Sequence, residues 1–479
     1  LDGGLDLDSS ALSVKAGRML ICQNFEQVFG KQGYKKIDGY ERMDGRPEPS
    51  KATYYVQSFD QGSAIINVGD TVTGASASGK VLAVELTSGA WTGTAAGRLI
   101  LGSMSGLFAD NENISVGSVK AVADGISILG SIAETNHLTY KTLAVEAKRT
   151  AIQKPPGDGA ILGVAVYKGN VFCVRNNAGN NSAQMWRSTA SGWVSVKDGL
   201  YPGGRFEFDV NNFTGTSKTL TLFGCDGLNR PFKVEDTTFN YIAPIFGSQA
   251  TSVTSNTVAT GSKTFSVAES SRSWTVGTSV VIWSAANASN RMLGTVTAYT
   301  HPSVTVNVTS INGSGTFTDW EIGLSTFADK PYLVKAHKNH LFLAYPSGQV
   351  QHSNLGDPSL YTTTAGLFGL GDDVTGLVSL KGDLLGILCR SKIQLLSGST
   401  SLDWQLSLHT DSAGARLGTT QGNVGNAMFV DDRGITTLQS TLNFGNFEPS
   451  ILSREVAKWL TAYIDKIQYS AIIKNKYQY

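Results

Sequence analysis

Gly159-Ala-Ile-Leu-Gly-Val-Ala-Val-Tyr-Lys-Gly-Asn-Val-Phe-Cys-Val, residues 159–174, decides the fold class. Two apolar runs flank Lys-Gly-Asn, and such a dipeptide supplies the positive φ angles that a two-residue hairpin turn needs. The same unit recurs in Met185-Trp-Arg-Ser-Thr-Ala-Ser-Gly-Trp-Val-Ser-Val, in Thr219-Leu-Thr-Leu-Phe-Gly and in His340-Leu-Phe-Leu-Ala-Tyr-Pro-Ser-Gly-Gln-Val-Gln-His. Strand, tight turn and strand at this spacing, with no helix between, predict an antiparallel all-β protein of sandwich, barrel or propeller type. Of these, a β-propeller suits residues 150–246 and 328–448, because its strand edges are short and a chain with few charges has little to guard them with.

Composition agrees. Gly, Ser and Thr fill 146 of 479 positions, while only 16% of residues are charged and the net charge is +1. That balance excludes a protein that grips nucleic acid through its phosphates. An apolar fraction of 41% excludes a disordered chain. No run of roughly 18 apolar residues occurs, so no membrane span is expected, and Leu1 to Ser10 lacks the basic and apolar regions of a secretory signal. Cys22, Cys173, Cys225 and Cys389 stand singly, which predicts buried free thiols and synthesis in a reducing cytoplasm.

Two segments, 61–133 and 247–324, are especially rich in Gly, Ser, Thr, Ala and Val. Gly79-Lys-Val-Leu-Ala-Val matches Gly294-Thr-Val-Thr-Ala-Tyr, and Ser88-Gly-Ala-Trp-Thr-Gly matches Ser314-Gly-Thr-Phe-Thr-Asp. The expectation is two related β-sandwich or barrel modules inserted into a propeller platform. The segments are then 1–60 (platform), 61–140 (first module), 141–246 (blades), 247–327 (second module) and 328–479 (blades and a helix). That helix follows from Val456, Trp459, Leu460, Tyr463, Ile464 and Ile467, an amphipathic stripe with Ser453 as N-cap and Glu455 in the first turn.

No residue set reads as catalytic, cofactor-binding or metal-binding. His337 and His340 are close, but strand residues three apart face opposite sides, so no metal clamp is expected. They and His137, His301, His352 and His409 read as surface or turn residues. Asp372-Asp373 and Asp431-Asp432 stand beside glycine as turn formers, although paired carboxylates also serve glycoside hydrolysis. The sialidase-type Ser-x-Asp-x-Gly-x-Thr-Trp turn is reduced to one Ser188-Thr-Ala-Ser-Gly-Trp without aspartate. No G-x-S-x-G and no phosphate-cradling loop is present. Asn-x-Ser/Thr triplets at Asn113, Asn180, Asn212, Asn287, Asn307 and Asn312 follow from composition. Basic and aromatic residues interleave once, in Gly33-Tyr-Lys-Lys-Ile-Asp-Gly-Tyr-Glu-Arg.

Longer motifs carry a resemblance. Gly3-Gly-Leu-Asp-Leu-Asp-Ser-Ser, Asn24-Phe-Glu and Gly33-Tyr-Lys-Lys-Ile-Asp-Gly-Tyr-Glu-Arg-Met-Asp-Gly-Arg-Pro resemble the opening of tail nozzle or hub proteins of short-tailed phages, the DNA-stabilisation protein family. Gly371-Asp-Asp-Val-Thr-Gly-Leu, Arg390-Ser-Lys-Ile-Gln-Leu-Leu-Ser-Gly, Gly414-Ala-Arg-Leu-Gly-Thr-Thr-Gln-Gly-Asn-Val-Gly and Phe429-Val-Asp-Asp-Arg-Gly-Ile-Thr-Thr-Leu are similar to its blade motifs. The resemblance implies a structural virion protein, not an enzyme: a β-propeller platform in a homohexameric ring below the head-to-tail adaptor proteins, beside tail fibres or spikes. Such a ring retains viral DNA and conducts it without sequence-specific binding, and is made in the host cytoplasm. The family usually continues beyond the strand that ends at Lys476-Tyr-Gln-Tyr, which predicts a truncated chain. Two alternatives stay open: a receptor-binding or depolymerising tail protein, with Trp91, Trp274, Trp283 and Trp320 stacking on host surface glycan, and a propeller scaffold that binds peptides.

Overall fold

Lys168 and Gly169 have φ of 48° and 76°, and they join strands Asp158–Tyr167 and Asn170–Asn176 with Tyr167 opposite Asn170. Both central residues of the turn are thus left-handed, as a hairpin whose twist matches its strands requires. Lys338 and Asn339, at 44° and 61°, repeat the device between Leu333–His337 and His340–Tyr345. The computed structural model describes residues 4–471, apart from 29–32, 38, 214–218, 243–245, 270–273, 288–289, 325–329, 347, 359–366, 401, 424–425 and 439–451.

Such hairpins build four-stranded antiparallel meanders, the blades of a β-propeller. Blade 1 is Asp158–Tyr167, Asn170–Asn176, Ala183–Thr189 and Gly192–Leu200; blade 2 is Glu207–Asn211, Thr221–Cys225, Phe232–Glu235 and Thr238–Tyr241. Blade 3 is Leu333–His337, His340–Tyr345, Gln349–His352 and Leu367–Gly369; blade 4 is Val374–Leu380, Leu384–Cys389, Ile393–Ser397 and Gln405–Thr410. Blade 5 shows Gln421–Asn423, Asn426–Val430 and Ile435–Thr437 among the described residues. The first strand of each blade packs on the first strand of the next, from blade 1 through blade 5.

Four cores lie between consecutive blades. Tyr167, Phe172 and Met185 meet Phe206, Leu222 and Phe232. Phe223 and Cys225 meet Val334, Leu341 and Leu343. Phe342 and Val350 meet Leu385, Ile387 and Cys389, and Leu388 and Ile393 meet Ala427 and Phe429. Successive residues of a strand point to opposite faces, so Leu222 faces blade 1 while Phe223 faces blade 3. Burial on both faces makes these strands continuous apolar runs rather than alternating ones. Burying each large side chain contributes about 1.5–3 kcal/mol.

Both modules are barrels. In the first, Ala95–Ser105, Ser78–Ser88, Thr71–Thr73, Asn113–Val116, Ser118–Ala123 and Tyr54–Gly62 pair in that order, and Tyr54–Gly62 pairs back onto Ala95–Ser105 to close the ring around Phe59, Leu99, Leu101 and Phe108. The strand Tyr54–Gly62 lies largely in the segment expected to belong to the platform; it is a barrel strand. In the second, Phe246–Ser252, Trp320–Leu324, Ser279–Ser284, Arg291–Thr300, Ser303–Asn312 and Gly261–Ser266 pair in order. A Ser252–Val267 bridge links the two ends around Phe265, Trp274, Val304 and Trp320.

The segments that match in sequence do not occupy matching places. Gly79-Lys-Val lies in a strand that pairs directly with the strand of Leu99, whereas the strands of Gly294 and Trp320 are separated by Ser279–Ser284. The likeness is one of composition, not of strand order.

The chain divides into two compact units, one of residues 1–38, 157–185 and 196–479, the other of 39–156 and 186–195. Within the second unit, a 15-residue helix, His137–Ala151, lies across the expected boundary at residue 140. It buries Tyr140 and Ala144, one turn apart, on Ala52, Tyr54, Leu82 and Ile100. Leu138 is exposed, so no apolar stripe betrays the helix in sequence.

The expected C-terminal helix is broken into short turns, Arg454–Val456, Ala457–Thr461 and Ile464–Lys466. Of its stripe, Leu460 and Ile464 are buried, while Trp459 and Tyr463 are 53% and 46% exposed, with their ring centres 5.2 Å apart and the rings tilted by 43°. Ser453 does not cap; its Oγ accepts the Ile435 N–H at 2.9 Å. No helix among the described residues is long and apolar enough to cross a membrane. Residues 439–448 of the expected last blade, and Lys476 to Tyr479, lie outside the described residues.

Candidate functional site

In a meander, the residues before each inner strand and the turns between second and third strands lie at the same end. Asp372-Asp373, Arg390-Ser391, Arg416 and Asp431–Gly434 therefore gather on one face of blades 4 and 5. Asp372 Oδ2 accepts the Ser391 N–H and Oγ–H, each at 2.7 Å. Burial pushes this carboxyl up, but the Ser391 bonds outweigh burial and leave it below the ordinary range. Asp431 Oδ1 accepts the N–H groups of Arg433 and Gly434 at 2.8 and 3.0 Å, and its Oδ2 holds the Arg433 guanidinium at 2.7 Å.

Asp432 pairs at 2.8 Å with both Arg390 and Arg416, and the Arg390 bond is the main reason its carboxyl is held low. Arg390 also donates its N–H to the Asp373 carbonyl at 2.9 Å, so it ties the two acidic doublets together. Arg416 reaches on to Asp465 at 2.6 Å. Open depressions of about 480 and 540 Å³ flank Arg390. A general acid for glycoside hydrolysis needs a raised pKa. Asp372 and Asp432 are shifted the other way and spent on fixed donors, so the arrangement is a clasp between blades.

The inner ends of blades 2 and 5 meet beside this clasp. Arg205, just before the inner strand of blade 2, pairs with Glu207, donates to the Gln468 carbonyl at 3.3 Å and lies 4.8 Å from the centre of the Tyr469 ring. Ser470 donates to the Gly418 carbonyl of blade 5 at 3.0 Å, Gln421 donates to the Ser470 carbonyl at 2.9 Å, and Tyr469 donates to the Leu162 carbonyl of blade 1 at 3.2 Å. Burial pushes the Glu207 carboxyl up against the pull of Arg205. Residues 468–470 thus bridge blades 1, 2 and 5.

The histidines overturn the surface reading. His337, His340 and His352 are buried. His337 and His340 flank a two-residue turn, which places them directly opposite each other across the hairpin; the opposite-faces rule holds along one strand, not across a turn. His340 and His352 rings lie 4.9 Å apart, and both approach Trp404, at 5.6 and 5.9 Å. His340 Nδ1 and His352 Nδ1 contact the Ser353 carbonyl at 2.6 and 2.8 Å, so each carries its proton there. Burial depresses the His337 pKa to about 4. Among the described residues no group of three ligands could hold a metal. Only the pairing of Lys338-Asn339 as turn residues could have signalled this cluster in sequence.

The tryptophans proposed for sugar stacking serve the cores. Trp274, Trp283 and Trp320 are buried, and Trp91 stacks on Phe59 at 5.2 Å within the first barrel. All four cysteines are free; Cys173, Cys225 and Cys389 are buried as expected, whereas Cys22 is only half-buried, and burial pushes the Cys173 and Cys389 thiols up to about 12. Lys35, from the basic and aromatic run, pairs with Glu26 at 2.8 Å.

In sequence, the chain matches no family model and no curated protein. In structure, it is similar to virginiamycin B lyase from Staphylococcus aureus, at 11% identity over 58% of this chain and 80% of that chain, with a TM-score of 0.26. AztD from Citrobacter koseri gives 11% identity over 81% of this chain and 92% of that chain, with a TM-score of 0.24. The endosialidase of phage phi92 gives 11% identity over 59% and 51%, with a TM-score of 0.24.

Proposed function

We propose that the chain is a structural protein of a short-tailed phage tail, a nozzle or hub component whose homohexameric ring retains packaged DNA and conducts it on ejection. The observation that carries this reading is the convergence of the resembling motifs. Runs 371–377, 390–398, 414–425 and 429–438 follow one another through blades 4 and 5, and their described residues join on one face: Arg390 to Asp373 and Asp432, and the Arg416 N–H to the Val430 carbonyl. The opening motif is anchored too, since Asp6 pairs with Arg18 at 3.4 Å and Arg18 pairs with Glu455.

In this reading duplex DNA would run between several copies around a shared axis rather than through one propeller. Near-neutral charge suits such a wall, because each neutralised phosphate adds to salt-dependent binding and slows passage. The ring would sit against adaptor proteins above and carry fibres or spikes. Electron microscopy of the chain mixed with phage tails lacking their nozzle tests the reading: a density ring at the tail end supports it, and no association with tails overturns it.

A further inference from the structure

We infer that the junction of the second barrel with blade 2 is a binding pocket for a carboxylated sugar, of the hexuronate class. The pocket holds about 310 Å³, at the small end of ligand sites. Its lining includes Arg230 from a blade 2 turn, Arg291 from the barrel and Lys330, beside Tyr201, Tyr241 and Asn229. No Asp or Glu stands among the described lining residues.

Arg230 and Arg291 are 6% and 3% exposed, and Arg291 lies 4.1 Å over the Tyr241 ring. Burying two guanidiniums is costly unless their donors are used. A guanidinium carries five donors in a planar fork that matches a carboxylate, so each can keep its protein partners and still bind one. Burial holds the Lys197 pKa down, against the pull of Asp198 and with a smaller push from Arg291. Asp226, a buried carboxylate in the turn that carries Arg230, is engaged with the N–H groups of Leu228 and Asn229 at 3.1 and 2.6 Å.

The site is built rather than incidental. Asn229 accepts the Tyr201 N–H at 2.8 Å and donates to the Tyr201 carbonyl at 3.2 Å, which fixes an exposed ring beside the cations. An acidic sugar offers what these groups recognise: a carboxylate for the arginines and an apolar ring face for Tyr201. A nucleic-acid backbone presents repeated phosphates to a long groove, and a single pocket of about 310 Å³ does not fit it. Lys330 Nζ lies 5.8 Å from the centre of the Tyr201 ring, which adds a third cation to the side of the pocket where that ring stands.

Calorimetry of the purified chain with galacturonate, galactose and inorganic phosphate tests the proposal. Galacturonate is expected to bind, with galactose weaker by on the order of tenfold to a hundredfold. The exposed Lys330→Gln variant is expected to weaken galacturonate several-fold with an unchanged melting curve, and Arg291→Lys to weaken it at least tenfold, since Lys loses the fork. Equal binding of galactose, binding of phosphate alone, or unchanged affinity in Lys330→Gln overturns it.

Discussion

Arg205 and Gln468 are 263 residues apart in sequence, yet the guanidinium of one donates to the carbonyl of the other at 3.3 Å. That bond brings the chain's last described segment back to its second blade, where Gly418 of the fifth blade also arrives. A Cβ on Gly418 would stand 2.5 Å from both Arg205 Nη2 and the Gln468 carbonyl, on a backbone with φ of +79°.

Gly418→Ala should therefore destabilise the propeller by on the order of 1–3 kcal/mol or more. Gly382→Ala is the control. Its φ is +81°, but nothing lies within 4 Å of the added methyl, so only the backbone cost remains. Urea unfolding of both variants compares them, with Gly418→Ala expected to have the lower midpoint.

Phe223 points into the core between blades 2 and 3. Phe223→Ala should cost about 3–5 kcal/mol, measured by the same unfolding. A loss below about 1 kcal/mol would mean that the blades do not share that core.

Asp431 is 3% exposed and holds two backbone N–H groups of the blade 5 turn. Asp431→Ala leaves both donors without their acceptor and should cost about 1–3 kcal/mol. Hydrogen exchange at Arg433 and Gly434 should quicken in this variant while the first barrel keeps its protection.

His337 gives the pH dependence a sign. Its folded pKa of about 4 lies below the ordinary 6.5, so the unfolded chain takes up its proton first. Its contribution is complete above pH 6.5, is lost as pH falls toward 4 and changes no further below that, a loss on the order of 1–3 kcal/mol. Thermal melts between pH 7 and pH 4 should show a shallower decline in His337→Phe than in the parent.

Hairpin turns such as Lys168-Gly169 act through local backbone sterics, so the blades could be read from single stretches of sequence. The barrels were likewise visible, because small residues and β-branched strands concentrate in them. Long-range relationships were not. The histidine cluster depends on a turn reversing the chain and on Trp404 arriving from the next blade. The helix at 137–151 is held by tertiary contacts of Tyr140 and Ala144 rather than by a stripe. At the C-terminus the stripe was present, but Ser453 found a better partner in Ile435 and the helix broke. The clasp was half legible: both aspartate doublets were marked as turns, while Arg390 joining them was not.

Native mass spectrometry of the purified chain, alone and with tail adaptor proteins, tests the central claim most directly. The account predicts a six-copy ring, formed alone or on the adaptor. A chain that stays monomeric in both conditions and binds no adaptor would contradict it.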